Sequence, residues 1–272
     1  MTTNIPLKLY KYQSYNVQTI DNLKNGCIWF SKPTLFNDPF DCSIPYVLEN
    51  MSNDEWNTLY KRVKKLWENM KDEEYKKSTA KYFLSDKPSE DFKKNYNLAS
   101  ELGWGEQIKD NFSQQGIACF SEKVDDLLMW SHYSDGHRGF CLEFDTSFNP
   151  FSKAVQVHYS KLLPSSLKLD GDGILVDPLV TTKYIGWSYE KEWRLFHEHG
   201  DTEYGFDDRA LAGVYFGSEM PFVHTEIISL VVSGFPTKLY KMKRSETEFK
   251  VSFEEVTYTP YVNGKSKRRF LG

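Results

Sequence analysis

Two glutamates two residues apart, Glu190 and Glu192, followed by Arg194, stand in the run YIGWSYEKEWRLF at residues 184–196. Ile, Trp, Tyr and Phe in so short a span are the composition of a β-strand. Side chains at i, i+2 and i+4 of a strand project from one face. Glu190, Glu192 and Arg194 are therefore expected on one face, with Lys191, Trp193 and Leu195 on the other. Two carboxylates beside a guanidinium suit a site that meets a developing positive charge. The same pattern also fits a salt-bridge ladder on a half-exposed strand.

Other groups carry less. His132 and His137 bracket Tyr133 and Asp135, but an i,i+5 gap does not put two imidazoles on one helix face. A metal would need a third ligand, and no HExxH occurs, so no metal is expected. His137, at the mouth of the strand GFCLEF, is placed to hydrogen-bond a ligand. Ser31 puts a hydroxyl at the end of the strand CIWF. The following loop, KPTLFNDPFDC, is turn-rich, with Pro33, Asn37, Asp38, Pro39 and Asp41, and Phe36 and Phe40 as anchors. Rigid polar loops at strand ends are frequent places for sites. No GxSxG, no GxGxxG and no GxxxxGK[ST] is present, so nucleophile-elbow, Rossmann and P-loop readings lack support.

The elements that must hold these groups read in order. Leu7–Tyr12 is a strand, and Asn16 opens a helix that Gly26 stops. Cys27–Ser31 is a buried strand. From about 50 to 115 the chain changes character, with Ser52–Glu55 as a capping box and Trp56, Leu59, Tyr60, Val63, Leu66, Trp67 and Met70 at helical spacing. This is expected to be a helical insertion whose charges form a solvated face. Gly116–Ser121, Gly139–Phe144 and Val155–Tyr159 read as strands, Asp125–Tyr133 as a helix, and 162–177 as a loop. Leu211–Phe216 and Ile227–Val232 read as buried strands, and Lys238–Met242 and Phe249–Tyr258 complete the sheet. The expected architecture is one α+β domain over 1–272, with antiparallel sheets and the helical insertion inside it.

Composition bounds the function. Aromatic residues make up 16% of the 272, ample for a core and for lining a small-molecule site. The net charge of -4 gives no global field towards nucleic acid or an anionic membrane. The basic tail at 265–269 is the one local exception. Cys27, Cys42, Cys119 and Cys141 match no zinc or redox spacing. With no apolar signal core and no apolar run of spanning length, a cytoplasmic protein is expected.

Six blocks, taken in order, resemble the bacterial domain-of-unknown-function 2971 family: LYKY at 9–12, LKNGCIWFS at 23–31, FNDPFD at 36–41, CFSEK at 119–123, LLMWSHYSDGHRGFCLEF at 127–144 and YEKEWRLF at 189–196. More distantly, the order of elements is similar to the ADP-ribosyltransferase superfamily, above all its bacterial toxin branches that modify nucleic acid or protein. That resemblance implies a split antiparallel core with NAD in the cleft. It implies a basic residue on the first strand, a serine motif at a strand end, and a Glu-x-Glu motif whose second glutamate is catalytic. Carried over, these are Lys11 to Gln13, Ser31, and Glu190 with Glu192.

Glu192 would then face the ribose as it turns cationic, Glu190 would orient the acceptor or take its proton, and Ser31 would support Glu192. Tyr12, Trp29 and Trp130 would stack on the rings of NAD. The FNDPFD and WSHY blocks, with Asn37, Asp38, His132 and Tyr133, would supply ligand loops, joined by His137 and Arg194. Gln13 departs from the pattern, where the 2971 family has Arg and the transferase branch Arg or His. The pyrophosphate then falls to Lys11 or another cation, or NAD binds weakly or not at all. The resemblance implies transfer of ADP-ribose to a protein or nucleic acid, in a phage-defence or toxin setting. Two other readings stay open: a non-catalytic nucleotide or nucleic-acid binding module, and a metal-dependent hydrolase using Asp38, Asp41, His132 and His137.

Overall fold

The structure, a computed structural model, describes residues 5–42, 52–69, 71–99, 113–163 and 178–258. The expected loop after residue 163, the end of the helical insertion and the basic tail lie outside the described residues. The chain divides into two compact units. One is Met1–Lys32, Gly116–Val157 and Gly186–Gly272; the other is Pro33–Gln115 and His158–Ile185.

The first unit is built on eight strands: β1 (Lys8–Gln13), β3 (Gly116–Ser121), β4 (Phe140–Asp145), β5 (Val155–Gln156), β8 (Glu192–His197), β10 (Leu211–Phe216), β11 (Lys238–Arg244) and β12 (Val251–Val256). Their order across the sheet is β12-β11-β10-β4-β1-β3-β8-β5. A separate ribbon pairs β2 (Cys27–Phe30) with β9 (Thr202–Gly205). The α+β class holds, but the sheet is mixed rather than antiparallel, because β10 and β11 run parallel. The residues expected as a strand at 227–232 explain this. All but Val232 belong to a helix, α7 (Phe222–Val231), that crosses from β10 to β11. Parallel neighbours need such a crossover. IISLVV is apolar all along its length, and periodicity cannot separate a buried strand from a buried helix in so short a run.

The sheet is not uniformly stitched. Six registered pairs join β1 to β4 and six join β3 to β8, yet only Tyr10 and Ser121 pair across β1 and β3. Beyond that pair the two halves part. One face carries the main core, with Leu9, Phe120, Leu142, Phe144, Trp193 and Val214 all buried. The opposite face carries Tyr12, Cys141 and Tyr215, covered by Met129 and Trp130 of the helix α5 (Leu127–Tyr133). Asp126 starts α5 by accepting from Leu128 N and Met129 N at 2.9 and 3.0 Å. The helix α1 (Val17–Lys24) starts with a capping box between Asn16 and Thr19 and runs out at Gly26, whose φ of +61° suits glycine.

The second unit is largely helical, with α2 (Asn53–Glu68), α3 (Glu73–Thr79) and α4 (Glu90–Ala99) followed by β6 (His158–Ser160), α6 (Pro178–Thr181) and β7 (Thr182–Tyr184). Trp56, Leu59, Tyr60 and Phe92 form its core, as their helical spacing requires. Val155–Tyr159 is thus two short strands, not one. In the NDPFD loop Phe40 is 66% exposed, so it does not anchor the loop as expected. A buried ion pair between Asp41 and Lys183, at 3.5 Å, helps hold that loop.

Candidate functional site

Strand β8 begins at Glu192, not before it. Ile185–Glu190 is a 3₁₀ turn, and Lys191 has φ +47°. That left-handed residue ends the alternation, so Glu190 does not share the strand face of Glu192 and Arg194. From Glu192 on the expectation holds. Trp193 and Leu195 enter the main core, while Glu192 and Arg194 face the other way.

Both are buried, Arg194 completely. Arg194 donates from Nε to Glu192 Oε1 at 2.7 Å and from Nη2 to Oε2 at 3.1 Å. The fork geometry matches both oxygens and offsets the burial of two charges. This is a correction to the exposed-ladder reading, and to Arg194 as a ligand group: its guanidinium is turned onto Glu192. Cys119 stands directly opposite Arg194. Its thiol is pushed well up, first by burial and then by the Glu192 carboxylate.

Ser121 is the residue that stands across from Glu192. Its hydroxyl donates to the Glu190 carbonyl at 2.6 Å, tying the turn to the strand end. Ser31 does not take this place. It bridges Ile117, four residues back along β3 and so about 13 Å away. The block CFSEK held the right serine, but a lone hydroxyl carries no signal until strand register is known.

The edge of β3 that faces β1 accounts for the parting of the sheet. Residues 117, 119 and 121 turn their backbone groups to that edge. Ser121 meets Tyr10, and Ile117 meets Ser31. Between them, the Cys119 carbonyl accepts from Lys11 Nζ at 3.2 Å. A side-chain amine thus stands where a strand would have supplied an N–H. The amine lies 5.1 Å from the Phe120 ring centre. Burial lowers its pKa, while the fields of Cys119 and Glu192 pull it back up.

Glu190 is buried, and Tyr133 donates to its Oε1 at 2.5 Å. Tyr133 also belongs to a group of rings. His132 is exposed, and Tyr133, Trp187 and Tyr189 are partly exposed. His132 packs edge-on against Tyr133, Trp187 and Tyr189 at 6.2, 6.5 and 6.0 Å. Its Nδ1 is 2.9 Å from the Tyr189 hydroxyl. Trp187 and Tyr189 carried no role in the sequence, where 183–196 reads as a strand or as a helix followed by a strand.

Other candidates fall elsewhere. Tyr12 and Trp130 are buried and meet edge-on at 5.2 Å, with the Trp130 indole donating to Val124 O and the Tyr12 hydroxyl to Lys123 O. They are core, not stacking surfaces. Trp29 pairs with Glu203 in the β2–β9 ribbon. Gln13 ends β1 opposite Phe140. His137, at φ +66°, contacts Ser131 through Nε2 at 3.3 Å, and burial lowers its pKa. Asn37 and Asp38 belong to the second unit, where Asp38 accepts from Phe40 N at 2.9 Å. Among the described residues no group of three or more His, Cys, Asp or Glu is placed to hold a metal ion.

No protein-family model, curated protein or solved structure matches this chain. Among the described residues no helix is long and apolar enough to cross a membrane.

Proposed function

We propose that the protein transfers ADP-ribose from NAD to a macromolecular acceptor. The observation that carries this reading is the parting of β1 from β3, with the Lys11 amine in the gap and the buried Glu192 at the start of the next strand. The resemblance to ADP-ribosyltransferases implies NAD between two half-sheets, and a single registered pair joins β1 to β3 here.

In the transfer, the bond between ribose C1′ and the nicotinamide nitrogen breaks, and that nitrogen keeps the electron pair. Positive charge gathers on the ribose, and the Glu192 carboxylate faces it. Each carboxylate oxygen has two lone pairs. Arg194 engages both oxygens and so fixes the orientation of the carboxylate. An acceptor lone pair makes the new bond to C1′, and Glu190 takes the acceptor's proton. Lys11 offers charge to the pyrophosphate where Gln13 has none.

The test is incubation of labelled NAD with cell extract and with wild-type, Glu192→Gln or Glu190→Gln protein. Nicotinamide release by the wild type should fall by about a hundredfold or more in Glu192→Gln, with cooperative melting retained. A second reading, a non-catalytic nucleotide-binding module, is favoured by the complete burial of Arg194 on Glu192. Saturable NAD binding with no nicotinamide release would select it.

A further inference from the structure

We infer that the outward face of α7 docks a helix of a partner protein, one that presents apolar side chains around a lysine or arginine. The inference is independent of the NAD reading. At about 100° per residue, Phe222, Val223, Glu226, Ile227 and Leu230 fall on one side of α7. Phe222 is 68% exposed, Val223 54%, Ile227 36% and Leu230 50%. The other side holds Ile228, but also Ser229, Thr225 and His224. Ser229 is buried and donates from Oγ to the Thr225 carbonyl at 2.7 Å. The His224 ring stacks on Tyr15, with ring centres 3.6 Å apart. A surface helix turns its apolar stripe to the core and its polar side to water. In α7 that order is reversed, with four large apolar side chains in water and two hydroxyls and an imidazole on the protein side. Single exposed apolar residues are ordinary, but a contiguous apolar face marks an interaction surface.

Charge selects the occupant. Glu226 is the one acidic residue of α7 and sits inside the apolar face, partly buried. Among the described residues it has no hydrogen-bond or ion-pair partner. A second copy of this chain, docked about a two-fold axis through the face, would set Glu226 against Glu226. Like charges brought together in this way oppose the contact. A lipid surface favours an apolar face bordered by Lys or Arg, and α7 has neither. One cation among apolar side chains answers both the apolar face and its carboxylate. A helix suits the shape, because side chains three and four apart on α7 form ridges that a second helix can fill. The 10 residues of α7 span about 15 Å, room for about three turns of the partner.

The experiment is fluorescence anisotropy of two labelled synthetic helices with the full-length protein. Both helices carry leucines at i, i+3, i+4 and i+7 spacing, and the centre of the leucine face is Lys in one and Glu in the other. The Lys helix should bind about tenfold or more tighter than the Glu helix. Glu226→Lys should reverse that preference. Leu230→Ser should weaken the Lys helix by about tenfold or more and keep the melting midpoint of wild type, since Leu230 stands in water. Val223→Ser serves as a second variant of the same face. Equal affinity for the two helices, a preference that Glu226→Lys leaves unchanged, or full binding by both serine variants overturns the inference. A dimer in sedimentation that Leu230→Ser abolishes also overturns it and gives the face to a second copy. Binding to mixed phosphatidylcholine and phosphatidylserine vesicles that Leu230→Ser abolishes gives it to lipid instead. None of these outcomes bears on the transfer of ADP-ribose.

Discussion

Lys11 donates its amine to the carbonyl of Cys119 across the gap where β1 and β3 part, at 3.2 Å. A lysine in the middle of a strand has become a substitute for a missing strand. Each half-sheet is fixed on its other side, β1 by β4 and β3 by β8.

The amine should announce itself in the pH dependence of stability. Burial lowers the folded pKa of Lys11 below its ordinary 10.5. Between those two values the unfolded chain binds more protons, so this group makes stability rise with pH. Its burial cost is full below the folded pKa and fades as pH approaches 10.5. In urea titrations, the stability of wild type minus that of Lys11→Met should shift in favour of wild type over that window. A difference that does not change with pH would mean the amine is solvated.

Arg194→Met strips a buried carboxylate of its partner and is expected to cost about 3–5 kcal/mol. Adding Glu192→Leu should recover part of the loss, because the two residues form one unit. Denaturation midpoints of the two single variants and the double variant measure the coupling. Purely additive losses would show that the pair does not act as one.

Tyr133→Phe removes one donor from the Glu190 carboxylate and should cost about 1–3 kcal/mol. The same change should lower acceptor modification more than it lowers NAD binding. Calorimetric NAD titration beside a transfer assay separates the two. Equal losses in both would place Tyr133 at the NAD rather than the acceptor end.

Asp126→Ala deletes the cap of α5 and should cost about 0.5–2 kcal/mol. Asp126→Asn should restore most of it, because an amide oxygen can still accept from Leu128 N and Met129 N. Thermal melts of the pair check this.

Gly139→Ala would drive a methyl group into the carbonyl of Gln13. Backbone cannot step aside as a side chain can, so a loss of about 1–3 kcal/mol or more is expected. Because Gln13 ends the strand that carries Lys11, NAD affinity should fall with it. A melt and a titration on the same sample test both.

Much of the scaffold was legible in the residues. Partial alternation in LYKY and the i, i+2 spacing in EWRLF marked two strands of the first unit, because successive side chains of a strand take opposite faces, while GIACFS, buried along nearly its whole length, was marked by composition alone. Asn16 marked a helix start, since a short polar side chain there accepts an orphan N–H, whereas the helix expected from Asp125 begins at Leu127 with Asp126 as its cap. IISLVV failed because burial on all sides erases the period by which helix and strand are told apart.

What the amino-acid order determined alone was chemistry by type: two glutamates and an arginine at close spacing, and rings in abundance. Tertiary structure decided which of them meet. It put Ser121 rather than Ser31 across from Glu192, turned Arg194 onto that carboxylate, and set Lys11 in the gap. It also gathered His132, Trp187 and Tyr189 from two separate segments. Register and edge pairing join residues more than a hundred positions apart, and no local pattern encodes which edge a strand will leave open.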